Sequence, residues 1–183
     1  MVEYLNGVRT RFDHANAAIM LALDYEGDAE LTAVALPKVE MYLLAHRDHP
    51  LNQRTAPADR NTLADYVELV VADSSNQSEG NVHRLFLGSP NIFELSDFHS
   101  KREALLSGVG YGWLPAHLAR RAMERGTLVE IPFVEGSTHT FEPHLVYRAG
   151  PSIGRAGRLF IDLFLKETRW SVNGAEAVLE HLH

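Results

Sequence analysis

One segment constrains the fold of this chain more than any other: "SDFHSKREALLSGVGYGWLPAHL", which begins at Ser96. Ser96 or Asp97 is a good helix N-cap, and Gly108 suits the left-handed conformation just past the end of a helix. The following "YGWL" predicts a short strand. Pro115 fits the first turn of a second helix, which Gly126 closes. A helix, a strand and a second helix joined by such short turns indicate an α/β protein.

Strands are predicted on both sides of this segment. "AAIMLAL", residues 17–23, is a continuous apolar run, as expected of a strand covered on both faces. Residues 31–46 read as extended chain but contain Pro37, which predicts two strands or one bent edge strand. Asn61 or Thr62 is expected to cap a short helix before the strand "VELVVA". "VHRLFLGSPNIFELSD" holds two strand-like runs around the turn "GSPN".

These elements leave two organisations open, since 183 residues suffice for one generous domain or for two small lobes. The sequence contains no internal repeat. Residues 31–46, and the chain from Leu128 to Phe133 onward, are extended stretches that are candidates for crossings between two lobes. In a two-lobed chain, a ligand is expected in the cleft between the lobes.

Composition excludes several classes of function. The net charge of −7 provides no general attraction to nucleic-acid phosphates, so any contact with nucleic acid is expected from outside this sequence. Cysteine is absent, which excludes disulfides, thiolate nucleophiles and cysteine-ligated metals. The N-terminus lacks a signal-peptide pattern and no apolar stretch approaches membrane-spanning length. We therefore expect a cytoplasmic protein without membrane contacts.

The glycines of "GVGYGW" invite comparison with a dinucleotide-binding fingerprint. They follow a helix rather than a strand, and their spacing differs from that fingerprint. We therefore expect a helix cap followed by a tight entry into a buried strand. Gly110 and Gly112 would let the backbone approach something closely, either a packed neighbour or a bound ligand.

His46 and His49 in "HRDH" have a spacing that occurs in metal sites. They lie at a predicted strand end with no third ligand in sight, so a solvated turn is favoured over a metal site. No metal and no cofactor is expected.

Asp73, Ser74 and Ser75 directly follow an apolar strand, where loop hydroxyls and backbone N–H groups of α/β sheets often bind ligands. A turn or a helix cap explains them equally well. Asp97 is more readily explained as a helix cap than as an acid–base group. The pattern G-x-S-x-G is absent and no nucleophile–base pair is evident, so the sequence does not favour an enzyme.

The order of these motifs resembles the effector-binding domain of LysR-type transcriptional regulators. The matching pieces are "KVEMYLLAHRDHPL", "LADYVELVVADSS", "SDFHSKREALLSGVGYGWLPAHLARRAMERGTLVEI", "HLVYRAG" and "GRLFIDLFL". They occur in the family's order over about residues 2–165. The helix–"SGVGYGWLP"–helix–strand unit is the most specific of them.

The resemblance implies two α/β subdomains with mixed sheets, like those of type 2 periplasmic binding proteins, joined by two crossover strands. Residues 1–35 together with 135–183 would form the first subdomain, and residues 36–134 the second. A small carboxylate or aromatic effector would bind between them and act on a homodimer or homotetramer. Effector contacts are implied for eleven residues: Asn6, Gly7, Asp24, Tyr25, Ser74, Ser75, Asp97, Phe98, Gly110, Tyr111 and Gly112.

The sequence also departs from the family's pattern. The family's winged helix-turn-helix domain and long linker helix are not found in it. The first strand and helix of the effector domain also have no counterpart. DNA binding is therefore expected only through a helix-turn-helix domain outside this chain.

Two other classes of function remain open beside a ligand-sensing regulatory domain that performs no chemistry. A solute-binding protein of a transport system would share the two-lobed fold, but it would need export. A small α/β enzyme would use Asp97, His99 or Ser74.

Overall fold

The chain forms two units, each with its own sheet. The computed structural model describes residues 12–14, 17–23, 25, 27–71, 86–148 and 153–180, with side chains of the last range described up to residue 167. The first unit comprises Met1–Lys38 and Phe141–His183, and the second comprises Val39–Thr140. The chain thus enters the second unit once and leaves it once.

The described chain contains both helices and strands, with helices between the strands of its central part, which confirms the predicted α/β class. The strands are β1 (Ile19–Leu23), β2 (Leu31–Ala35), β3 (Val39–His46), β4 (Glu68–Val71), β5 (Ile92–Leu95), β6 (Tyr111–Pro115), β7 (Leu128–Glu130), β8 (Thr138–Phe141) and β9 (Pro143–Arg148). The helices are α1 (Arg60–Ala64), α2 (Phe98–Leu106), α3 (Ala116–Glu124) and α4 (Gly154–Glu180), with a 3₁₀ turn over Pro50–Gln53.

The first unit has a three-stranded antiparallel sheet in the order β1-β9-β2. Phe12, Met20 and Val146 form its buried cluster. The expectation that the run 17–23 is covered on both faces is wrong. In the described sheet β1 is an edge strand that pairs only with β9, and the side chain of Leu21 is 51% exposed.

The second unit has a six-stranded mixed sheet. Its main path runs β5-β4-β6-β3-β7, and β8 pairs with β3. The strands β4, β5 and β6 are parallel to one another where they pair, while β3 runs antiparallel to β6 and β7. Pro37 lies between β2 and β3, so the stretch 31–46 forms two strands.

The register assigns side chains of this sheet to two faces. Leu105 of α2 and Ala119 of α3 form a buried cluster with Leu69 and Leu114, so these helices cover one face, which we call the α2 face. Side chains alternate along a strand, so Tyr111 and its register partner Glu68 point to the opposite face. We call this second side the Tyr111 face. Each fully buried leucine in the α2-face cluster contributes about 1.5–3 kcal/mol.

The helix ends of the second unit agree with the predicted caps in most places. Gly108 and Gly126 have φ angles of +71° and +63° just past the ends of α2 and α3, as expected for left-handed caps. The cap of α1 was assigned wrongly. Asp59 is the N-cap, because its side chain accepts a hydrogen bond from the Thr62 N–H at 2.8 Å.

The segment before β5 also differs from expectation. Residues 86–91 form no strand, so the first strand-like run of "VHRLFLGSPNIFELSD" is absent from its described part. Ser89 supports the irregular backbone, since its hydroxyl has the carbonyl oxygens of Tyr66 and Asn91 as alternative acceptors at 3.0 and 3.2 Å and accepts from the Asn91 N–H at 3.1 Å. Side-chain hydrogen bonds of this kind replace ladder hydrogen bonds.

Candidate functional site

Gly110 and Gly112 let β6 approach β4 closely. A Cβ atom on Gly110 would lie 2.2 Å from the carbonyl oxygen of Val67, and one on Gly112 would lie 2.7 Å from that of Leu69. Neither distance is possible without moving backbone. Of the two alternatives left open by the sequence, the structure therefore shows a packed neighbour next to each glycine.

Gly112 also makes room for the side chain of Lys101. A Cβ atom on Gly112 would lie 2.9 Å from Lys101 Cε and 3.1 Å from Nζ. The lysine of α2 thus extends over the α2 face of β6 and occupies the space that a side chain at position 112 would fill. Its Nζ atom lies 5.9 Å from the centre of the Phe98 ring.

The Lys101 ammonium lies in a strongly desolvated position. Only 4% of the residue is exposed, and its Nζ atom forms no hydrogen bond or ion pair with any residue in the described part of the chain. Burial lowers the pKa of this amine from 10.5 to about 8, and the charge of Glu68 opposes the shift. Most of the amine therefore stays protonated at neutral pH.

Glu68 is a second buried charge, on the Tyr111 face. Its carboxylate oxygens accept hydrogen bonds from the backbone N–H groups of Leu87 and Ser89 at 2.8 and 3.1 Å. Burial raises the pKa of Glu68, whereas the two backbone donors, and then the charge of Lys101, act to lower it. This carboxylate is satisfied by backbone donors rather than by a contact ion pair.

Tyr111 lies beside Glu68 on the same face and is completely buried. Its hydroxyl has no hydrogen bond of normal geometry to a described residue. Burial and then the Glu68 charge raise the pKa of the phenol, while Ser89 acts to lower it. Tyr111 is therefore an interior residue of the second unit, and its phenol stays protonated at neutral pH.

Asp97 caps α2, which confirms the cap interpretation. One carboxylate oxygen accepts from the Ser100 N–H at 2.8 Å, and the other accepts from the hydroxyls of Ser96 and Ser100 at 2.8 and 3.1 Å. These donors, first of all the Ser100 N–H, lower the pKa of Asp97 to about 2. Phe98 begins the helix and packs against the α2-face cluster.

Tyr25 is the described candidate of the first unit. It packs against the cluster of Phe12, Met20 and Val146, and its ring lies 6.1 Å from that of His144. Its hydroxyl is buried and has no hydrogen-bond partner in the described part of the chain. A buried hydroxyl without a hydrogen-bond partner is rare in folded proteins.

The eleven residues expected to contact an effector are distributed as follows. Asp97 and Phe98 lie at the start of α2, whereas Gly110, Tyr111 and Gly112 lie after its end, at the start of β6, all in the second unit. Tyr25 lies in the first unit. The remaining five lie outside the described residues: Asn6, Gly7, Asp24, Ser74 and Ser75.

The sequence reasoning did not consider Glu68 and Lys101, although both carry a signal. Glu68 is the one charged residue within the apolar run "VELVVA". Lys101 follows Phe98 by three residues and precedes Leu105 by four, so it lies on the apolar face of the helix. A charge at either kind of position indicates a buried partner or a site.

The expected solvated turn at "HRDH" is wrong for His49, which is buried. Its Nδ1 atom accepts a hydrogen bond from the Leu51 N–H at 3.2 Å, and its ring packs against Tyr66. Burial, and then the neighbouring His46, lower the pKa of the His49 imidazole. No cluster of three or more potential metal ligands occurs among the described residues.

Sequence and fold together define the class of this protein. The sequence profile of the family described as "LysR substrate binding domain" matches residues 11–169. The chain belongs to this family, and its fold is that of the type 2 periplasmic binding proteins. Both statements agree with what the motif order implied.

Two curated relatives are similar to this chain in sequence. The chain is 33% identical over 148 residues to "Uncharacterized HTH-type transcriptional regulator YeeY" of Escherichia coli (strain K12), covering 78% of this chain and 47% of that protein. It is 26% identical over 130 residues to "Probable HTH-type transcriptional regulator YhaJ" of the same organism, covering 70% and 43%. The chain thus spans about half the length of the curated relatives it matches.

Two solved structures show the same fold. The regulatory domain of CcmR from Synechocystis PCC6803, in complex with 2-PG, matches with a TM-score of 0.62 and 17% identity over 88% of this chain and 78% of that one. The regulatory domain of AphB from Vibrio vulnificus matches with a TM-score of 0.59 and 19% identity, over 84% and 76%.

The described helices can also be compared with the dimensions of a bilayer. In the described part of the chain, none of them combines the length and the apolar character that a membrane crossing requires.

Proposed function

We propose that this chain is the ligand-sensing regulatory domain of a LysR-type transcriptional regulator. The observation that supports it most is the family match over residues 11–169, joined by relatives that are named as HTH-type transcriptional regulators. Those names favour a regulator over a solute-binding protein of a transport system. The domain's role is to bind a small effector and to perform no chemistry.

The residues that contact the effector are those expected from the resemblance. Among the described candidates we single out Tyr25. Its buried hydroxyl has no hydrogen-bond partner in the described chain, so a hydrogen bond from a polar group of the ligand would remove the cost of leaving it unsatisfied. The subdomain ranges 1–35 with 135–183, and 36–134, belong to the same proposal. So do a homodimeric or homotetrameric assembly and DNA binding through a helix-turn-helix domain.

A thermal-shift screen of small metabolites against the full-length regulator tests this function. An effector that binds the native state raises the melting temperature. The same compound is expected to change the mobility of the regulator's complex with promoter DNA. A compound that raises the melting temperature but never changes the mobility of the DNA complex contradicts a regulatory role.

Tyr25→Phe then tests the expected contact. It removes one hydroxyl, and we expect the effector to bind about fivefold to tenfold more weakly. Tyr147→Phe is the matched control, because Tyr147 is a half-buried tyrosine of the same unit. Equal affinities of the two variants in calorimetry contradict the contact, provided that both variants melt like the wild type.

A further inference from the structure

The second unit contains a buried cation and a buried anion that differ in their hydrogen bonding. The Glu68 carboxylate receives two backbone hydrogen bonds. The Lys101 ammonium donates no hydrogen bond to a described residue and forms no ion pair with one, although the residue is only 4% exposed. Burying an ammonium without a direct partner is costly, so such a group indicates a place where an anion binds.

The position of Lys101 along α2 adds to this cost. Asp97 is the N-cap and Phe98 the first helical residue, so Lys101 lies in the first turn of a nine-residue helix. The positive end of the helix dipole disfavours a cation there and favours an anion. A helix start and a buried lysine without a hydrogen bond or ion pair to a described residue therefore point to the same kind of ligand.

The neighbouring carboxylates do not fill this role. Asp97 uses its oxygens on the Ser100 N–H and on the hydroxyls of Ser96 and Ser100. Glu68 points to the opposite face of the sheet and interacts with Lys101 only through its charge. Neither carboxylate forms an ion pair with the ammonium in the described structure.

We propose that the Lys101 ammonium binds an anionic oxygen group of the effector, a carboxylate or a phosphate, at the first turn of α2 beside Phe98. The Phe98 ring is half-buried and the Nζ atom lies over it, 5.9 Å from its centre, so an anionic group bound to the ammonium lies next to the ring. Gly112 is part of the same site, because its missing side chain leaves room for the lysine. This inference rests on the proposed function, since it names the chemical class of the effector.

The sequence makes the test direct, because lysine occurs only at positions 38, 101 and 166. The probes are benzoate, its neutral analogue benzamide, and inorganic phosphate, each titrated into the isotopically labelled chain. The readout is the NMR signal of the lysine Cε–Nζ group. We expect benzoate or phosphate to shift the Lys101 signal and to raise the pKa of its amine above about 8. Benzamide is expected to leave this signal unchanged.

Lys101→Met removes the charge and keeps an unbranched side chain. We expect it to weaken binding of the anionic probe about tenfold or more. Lys166→Met is the matched control, since Lys166 is exposed, and it should bind the probe like the wild type. A cooperative melt of Lys101→Met at or above the wild-type temperature shows that the variant is folded.

Three results would overturn the inference. The first is that neither anion shifts the Lys101 signal. The second is equal binding of benzoate and benzamide, and the third is unchanged binding by Lys101→Met. Failure of the proposed function is distinguishable from these. If a screened effector stabilises the wild type and Lys101→Met equally, the regulatory function stands and only the Lys101 site is lost.

Discussion

Each face of the six-stranded sheet buries one charged side chain. The anion has hydrogen-bond partners among the described residues, whereas the cation has none. On the Tyr111 face, Glu68 is 1% exposed and its carboxylate is held by two backbone donors. On the α2 face, Lys101 is 4% exposed, and its ammonium lies over the Phe98 ring without a hydrogen bond or ion pair to a described residue. The first arrangement serves stability, whereas the second costs stability. A cost retained in a folded domain is typical of a functional position.

Both arrangements depend on the close contact between β4 and β6, so breaking that contact has the largest expected effect. In Gly110→Ala the new Cβ atom would lie 2.2 Å from the Val67 carbonyl oxygen, which forces the strands apart. We expect a loss of about 4 kcal/mol or more in the free energy of unfolding, measured by urea denaturation. Val109→Ala, at an exposed neighbouring position, should stay within about 0.5 kcal/mol of the wild type. Equal stability of the two variants would show that the contact is not tight.

Removing the satisfied carboxylate should come next in size. Glu68→Ala leaves the N–H groups of Leu87 and Ser89 without their acceptor. We expect a loss of about 2–3 kcal/mol in the free energy of unfolding, because unsatisfied buried donors are costly. Glu94→Ala, at an exposed position of β5, is the control and should change little. A loss no greater than that of Glu94→Ala would contradict the role of the carboxylate.

Removing the unsatisfied ammonium should act in the opposite direction. Lys101→Met is expected to raise the free energy of unfolding at pH 7 by about 1–2 kcal/mol, since methionine fills similar space without a charge. Lys166→Met serves again as the control, with no gain expected. A loss of stability in Lys101→Met would mean that the ammonium stabilises the fold.

The difference in stability between the wild type and Lys101→Met should depend on pH. The pKa of Lys101 is about 8 in the folded chain and 10.5 ordinarily, so between these values the unfolded chain binds more protons. The wild type should therefore gain stability relative to Lys101→Met as the pH rises from about 8 to 10. Below pH 7.5 the difference between the two proteins should be constant. A flat difference across the whole range would exclude a depressed pKa.

The smallest expected effect concerns the cap of α2. Asp97→Ala removes the acceptor of the Ser100 N–H and should lower the melting temperature by a few degrees. The pKa of Asp97 is about 2 against an ordinary 3.8, so its contribution is complete above about pH 4 and disappears as the pH falls through about 2. The melting temperatures of wild type and variant should therefore converge in strong acid.

Local signals predicted those parts of the fold that depend on neighbouring residues. The caps at Asp97, Gly108 and Gly126 and the break at Pro37 follow from the conformations that these residues prefer. Sequence-distant contacts were not predictable in this way. The edge position of β1 depends on its pairing with β9, more than 100 residues further along the chain.

For the candidate site, the residues around α2 and β6 stay a prediction from the resemblance, and the sequence did not predict the environment in which they lie. Pattern alone left open whether Gly112 meets a ligand or a neighbour, because the lysine over it comes from a different element. Pattern alone also could not show the hydrogen bonds of Glu68, because its two donors lie about twenty residues further along the chain, in an irregular segment. The pattern marked these charges as unusual, and only the tertiary structure distinguishes the satisfied one from the other.

An NMR titration of the three lysines tests the central contrast most directly. Lys38 is exposed and its pKa is raised by its hydrogen bond to Glu142, so its amine should titrate above 10.5. We predict that the Lys101 amine titrates near pH 8, in a chain that is still folded at that pH. A Lys101 pKa at or above 10.5 would mean that the ammonium is solvated or directly paired, and would contradict both the unsatisfied cation and the anion site built on it.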